Sequence, residues 1–205
     1  MSLQMMLTLM LASFAMSAYS ASKTIVVLGD SLSAEYGLER GCGWVSLLQK
    51  RLESERIRAS IVNASISGET TSGGRARLPA ILDKHHPEIV VIELGANDAL
   101  RGLSLAATRD NLRAMAASAQ KAGARVLIVG MQIPPNYGVD YTKKFAAIFP
   151  EVAKESKSAL VPFMLAGVVE RPDWFQADRI HPTADAHPVI LDNIWPQLKR
   201  QLTAR

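Results

Sequence analysis

Two runs of consecutive apolar residues constrain this chain more than any other feature: Thr24-Ile25-Val26-Val27-Leu28 and Ile89-Val90-Val91-Ile92. A strand with one face in water alternates apolar and polar side chains, whereas an unbroken run of strand length signals burial on both faces. Comparable runs at 59–63, 125–130 and 159–162 are separated by stretches of helical length at 44–55, 72–84, 104–122 and 139–156. A last helical stretch covers 186–202. Strand and helix in alternation imply right-handed crossovers and a parallel sheet covered on both sides. The expected fold is α/β, a three-layer α/β/α sandwich around a five-stranded parallel sheet, with 21–205 as a single domain. No repeat, low-complexity segment or linker divides it. Gly73-Gly74 reads as a flexible loop leading into the second crossover helix, and Pro134-Pro135 as a loop after the fourth strand.

The first twenty residues carry no charged side chain and hold five of the eight methionines. An apolar run followed by Ala18-Tyr19-Ser20 is expected to be a signal peptide, cleaved after Ser20. A retained anchor is the competing reading, but the run is short for a span of about 20 residues. Export across the inner membrane, to a periplasmic location, follows, with no stable membrane insertion after cleavage. Cys42 is the sole cysteine, which excludes an intramolecular disulfide. It does not follow the cleavage site, so it is no lipid-attachment cysteine. The net charge of +4 is modest and spread along the chain, which does not suggest a nucleic-acid-binding surface. A monomer is expected.

Polar elements follow the strands: Gly29-Asp30-Ser31-Leu32-Ser33, Asn63-Ala64-Ser65-Ile66-Ser67-Gly68, Gly95-Ala96-Asn97-Asp98 and, before the last helix, Asp178-Arg179-Ile180-His181. In a parallel sheet the loops at the carboxyl ends of the strands share one edge, where ligands bind. Ser31 needs a base to attack an acyl carbon, and His181 can serve. Asp178, three residues before it, can reach the far ring nitrogen within one turn. The backbone N–H groups of Ser31 and Gly68 and the Asn97 amide are candidate oxyanion donors. Asp30 and Asp98 read as loop-stabilising carboxylates. His85-His86 suits a helix C-terminus, where positive charge is favoured. No metal-ligand spacing is visible around it. His187 is expected at the surface or in the first turn of the last helix.

In order and context these blocks resemble the GDSL or SGNH hydrolase family. Asn63–Gly68 and Gln132-Ile133-Pro134-Pro135-Asn136-Tyr137-Gly138 are similar to its multifunctional thioesterase/lysophospholipase/arylesterase branch. The resemblance implies a flavodoxin-like SGNH hydrolase fold and a serine esterase acting on carboxylic esters and thioesters through an acyl-enzyme. It implies Ser31, Asp178 and His181 as catalytic residues, Ser31, Gly68 and Asn97 as oxyanion donors, and no cofactor. The substrate would be a small acyl ester, thioester or lysophospholipid. Ile133, Pro135 and Tyr137 are candidates for substrate binding, and Trp174-Phe175 for a further apolar wall or for core packing. A carbohydrate O-acetylesterase of the same family, or a catalytically silent binding module, are the alternatives. Three positions depart from the family pattern: Ala96 and Glu69 conservatively, and Arg179 where glycine is usual. If position 179 requires a positive φ, the Asp178–His181 turn is strained.

Overall fold

A computed structural model describes residues 23–203; the candidate signal peptide lies outside them. Five parallel strands, β1 (Lys23–Gly29), β2 (Ala59–Asn63), β3 (Ile89–Glu93), β4 (Arg125–Val129) and β5 (Ala159–Val161), form one sheet in the order β2-β1-β3-β4-β5. The helices between them are α1 (Trp44–Ser54), α2 (Thr71–His85), α3 (Ala96–Leu100), α4 (Leu105–Lys121), α5 (Val139–Ser156) and α6 (His187–Thr203). Helices α1 and α6 pack together, as do α2 with α4 and α4 with α5. The two groups cover opposite faces of the sheet.

This double cover explains the apolar runs. Ile25 to Leu28 and Ile89 to Ile92 are 0–1% exposed, and every residue of β3 is buried. The helices turn matching stripes inward: Trp44, Leu48 and Leu52 on α1, Leu112, Met115 and Ala119 on α4, Ile190, Ile194 and Leu198 on α6. Phe145 and Phe149, one turn apart on α5, meet edge to face. Ser104 caps α4 by accepting from Ala107 N–H, and Thr70 caps α2 by accepting from Gly73 N–H.

The topology creates the site. From β1 the chain first adds β2 on one side, then returns to add β3, β4 and β5 on the other. The crevice at such a switch point, outside the carboxyl ends of β1 and β3, is where this kind of sheet binds ligands. Ser31 follows β1 and Asn97 follows β3, so both flank that crevice.

One sequence expectation changes, and a second, met in its first-turn form, gains detail. Gly73 and Gly74 are not a flexible loop but lie in the first turn of α2. A Cβ on Gly74 would stand 2.3 Å from Leu94 Cδ1, so glycine there is required by close packing. His187 begins α6 as expected but is not at the surface: it is 2% exposed. Its Nδ1 accepts from the Trp44 N–H at 3.0 Å, satisfying an end of α1 whose own cap residue, Gly43, has no side chain to offer.

Accepting that bond requires a neutral ring. Burial, against a smaller pull from Glu35, lowers the His187 pKa from 6.5 to about 4. The unfolded chain therefore takes up a proton before the folded one does, and stability present above pH 6.5 is lost as the pH falls through about 4. The linkage amounts to about 3 kcal/mol. Denaturation of the parent and a His187→Ala variant will show the parent's advantage shrinking between pH 7 and pH 4; a constant gap contradicts this role.

Candidate active site

The loop after β1 turns sharply under the control of Asp30. Its carbonyl accepts from Ser33 and Ala34 N–H, and its Oδ1 accepts from Leu32 N–H at 3.0 Å. Ser31 is held between these anchors, half-buried at the sheet edge. His181 arrives from the long connection between β5 and α6. That segment folds back on itself: Phe175 and Pro182 bridge antiparallel, Gln176 N–H donates to the His181 carbonyl, and Thr183 N–H donates to the Trp174 carbonyl. Gln176 then donates from Nε2 to the carbonyls of Tyr36 and Pro182, tying the His181 loop to the Ser31 loop.

The three side chains form a chain of hydrogen bonds. His181 Nε2 lies 2.8 Å from Ser31 Oγ, and His181 Nδ1 lies 2.6 Å from Asp178 Oδ2. The other oxygen of Asp178 accepts from the backbone N–H groups of Ile180 and His181, at 2.9 and 3.0 Å. Desolvation opposes ionisation of Asp178, but the bonds from His181 and Ile180 outweigh it and lower its pKa to about 2. An ionised Asp178 only accepts, so Nδ1 carries the proton and Nε2 presents its lone pair to the Ser31 hydroxyl. This is the tautomer a general base needs.

The oxyanion candidates follow strands β1, β2 and β3 at the same edge of the sheet. Among the described residues, neither Ser31 N–H nor Gly68 N–H has an acceptor. Asn97 sits in α3, a five-residue helix that the sequence reading missed, and donates one Nδ2 hydrogen to Asp30 Oδ2 at 3.0 Å. Its second hydrogen remains available. Gly68 has φ +79°, a conformation a side chain would strain. Asp98, next to Asn97, accepts from the Thr71 N–H and hydroxyl and from Thr108, fastening α3 to α2 and α4.

Three contributors were not foreseen. Arg101, at the end of α3, donates from Nη2 to the Gly68 carbonyl at 2.8 Å and so links the two loops that carry Gly68 and Asn97. Tyr36 lies with its ring centroid 4.4 Å from that of His181. Glu93, the last residue of β3, is buried beneath the Ser31 loop. A carboxylate closing an otherwise apolar, doubly buried strand was the available signal. Of the substrate-binding candidates, Ile133 is 7% exposed and belongs to the core, while Pro135 and Tyr137 are exposed in a short 3₁₀ turn. Trp174 and Phe175 are half-buried and pack against the core. Among the described residues no three His, Cys, Asp or Glu side chains are grouped as a metal site requires.

Arg179 has φ +58° inside the Asp178–His181 turn, the left-handed region that disfavours a side chain. The turn is nonetheless intact, because Asp178 accepts from Ile180 and from both the backbone and ring of His181, while Arg179 N–H donates to the Gln176 carbonyl. Arg179→Gly relieves the strain at some expense in chain entropy. A net gain of about 0.5–1 kcal/mol is expected, read as a higher denaturation midpoint with the activity retained. An unchanged or lower midpoint would contradict the strain.

The model of the GDSL-like Lipase/Acylhydrolase family matches residues 27–189. Esterase TesA of Pseudomonas aeruginosa is 51% identical over 180 residues, 88% of this chain and 90% of that protein. The thioesterase 1/protease 1/lysophospholipase L1 of Escherichia coli K12 is 43% identical over 88% of this chain and 85% of its own length. An arylesterase of Vibrio mimicus is 41% identical over 92% and 95%. A crystal structure of TesA superposes with a TM-score of 0.86, covering 87% of this chain and 99% of that one. With a family match over most of its length and relatives this similar, the chain belongs to the GDSL-like lipase/acylhydrolase family.

Proposed function

We propose that this protein is an exported serine esterase that cleaves carboxylic esters and thioesters, with Ser31, His181 and Asp178 as its catalytic residues. The observation that carries the reading is the unbroken chain from Asp178 through His181 to the Ser31 hydroxyl. Relatives named esterase, thioesterase/lysophospholipase and arylesterase support the same reaction type.

Ser31 Oγ attacks the acyl carbon as its proton passes to His181 Nε2. The imidazolium so formed is stabilised by ionised Asp178. Negative charge moves to the former carbonyl oxygen, where Ser31 N–H, Gly68 N–H and the free Asn97 hydrogen can receive it. Collapse breaks the bond to the alcohol or thiol, which leaves with the proton from His181. Water, deprotonated by the same nitrogen, then attacks the acyl-enzyme, and a second collapse frees the acid and restores Ser31. Apart from the attacking water, these steps draw on side chains and backbone.

The surface favours an apolar acyl group. Among the described residues, the exposed large apolar side chains are Tyr36, Ile66, Leu103, Tyr137, Val139, Val169 and Ile180; all fall between the end of a strand and the next long helix, or on that helix's first residue. None is on a connection that leads into a strand. Several of them therefore stand on the edge that holds Ser31. Export through cleavage of residues 1–20 and a monomeric state belong to the same proposal. Among the described residues, no helix is long and apolar enough to cross a membrane.

The deciding experiment is hydrolysis of p-nitrophenyl esters of graded chain length, beside a lysophospholipid and an acyl-CoA. Rates are expected to persist into medium acyl chains; activity confined to acetyl esters would favour the sugar deacetylase reading. His181→Ala should abolish turnover, whereas His187→Ala, where folded, keeps most of it; the reverse pattern would overturn the assignment. Tyr137→Ala should shift the chain-length profile, and an unshifted profile removes Tyr137 from the substrate surface.

A further inference from the structure

The register of the central strands sets Gly29 directly beside Glu93. Paired residues on neighbouring strands project to the same face, so the Glu93 side chain lies over position 29. A Cβ on residue 29 would come within 2.7 Å of Glu93 Oε2 and 2.8 Å of the Ser33 side chain. Glycine opens a slot there, and the Glu93 carboxyl occupies it. Oε2 accepts from the Ser33 hydroxyl at 2.7 Å and from the Asp30 N–H at 3.3 Å. The Ser33 oxygen in turn accepts from the Trp44 indole N–H at 3.1 Å. Glu93 and Asp30 are 2% and 1% exposed, among the most buried polar residues described.

Two neighbouring acids this far from water oppose each other's ionisation. Burial raises the Asp30 pKa to about 6, and burial together with the Asp30 charge raises that of Glu93 well above the ordinary value. Asp30 is the better placed of the two to carry charge, since Leu32 N–H and the Asn97 amide donate to its carboxyl oxygens.

We propose that Glu93 is a positioning residue for the oxyanion donor Asn97, acting through Asp30. Its carboxyl pins the Gly29–Ser33 turn so that the Asp30 carboxylate faces the Asn97 side chain. Asp30 takes one hydrogen of the Asn97 amide, which directs the other toward Ser31. The same carboxylate prevents the amide from flipping, since a flip would set the Asn97 carbonyl oxygen against a negative charge. A buried acid that touches neither substrate nor nucleophile thus governs a donor on the far side of Asp30. This inference rests on the esterase reading above.

The test is a double-mutant comparison with a p-nitrophenyl ester at pH 8. Glu93→Ala should lower kcat by about 30-fold while KM stays within about twofold, a share of the loss expected for removing one oxyanion donor. Glu93→Gln presents the same acceptor in a neutral group and should bring kcat back to within about threefold of the parent. In an Asn97→Ala background, Glu93→Ala should cost less than about threefold, because the donor it positions is already gone. An equal loss in both backgrounds overturns the proposal, as does a rise in KM without a fall in kcat, or a Gln variant as poor as the Ala variant. If Glu93→Ala does not fold, Ser33→Ala, which removes the hydroxyl held by Glu93, enters the same comparison. Ser31→Ala tests the esterase reading separately: retained hydrolysis there defeats that reading, whatever the Glu93 variants do.

Discussion

The backbone pairing of β1 with β3 places the Ser31 loop and the Asn97 segment side by side across a crevice. It also sits in the middle of a sheet with helices on both faces, where no water reaches. Polar groups there are admitted only where a partner waits, and the carboxyl end of the sheet is where partners are concentrated. Ser31, Asp30 and Glu93 are all within one turn of that pairing, and Asn97 is four residues beyond it. Shifting β3 by one residue would turn Glu93 to the other face of the sheet. The register that buries the core therefore also aligns the chemistry.

Around this pairing the loops support one another through single hydrogen bonds of long sequence range. Gln176 binds the His181 loop to Tyr36, Arg101 binds the end of α3 to Gly68, and Asn63 Nδ2 donates to the Ser33 carbonyl. Each joins connections that belong to different strands. The site is thereby held by its neighbours as well as by the sheet, as preorganised donors require: groups that stabilise a developing charge help most when they need not move to do so.

Much of this was legible in the sequence, for identifiable reasons. Consecutive apolar residues at 25–28 and 89–92 can only be satisfied by a sheet covered on both faces, and that condition gives parallel strands and a polar edge. Ser31, Gly68, Asn97, Asp178 and His181 followed from asking what lies just past each strand or before the last helix. Helix α3 escaped because five residues are too few for a helical period to emerge. Gly73-Gly74 misled because a glycine pair ordinarily marks a turn, whereas here α2 must approach Leu94 too closely for a side chain. Glu93, Arg101 and the capping role of His187 depend on partners 33 to 143 positions away. No local pattern encodes such distances. Arg179 is different: the sequence posed the question of a positive φ, and only coordinates could answer it.

The distribution of exposed apolar side chains has an evolutionary consequence. They are spread over the connections that follow all five strands, outside both the core and the hydrogen-bond chain through Ser31. Tyr36 apart, whose ring lies against His181, such loop residues can be exchanged one at a time without touching the core or the hydrogen-bond chain. Preference for one acyl group over another becomes a trait that drifts in small, separable steps. Relatives with one architecture can then diverge in the esters they favour while the machinery beneath stays still.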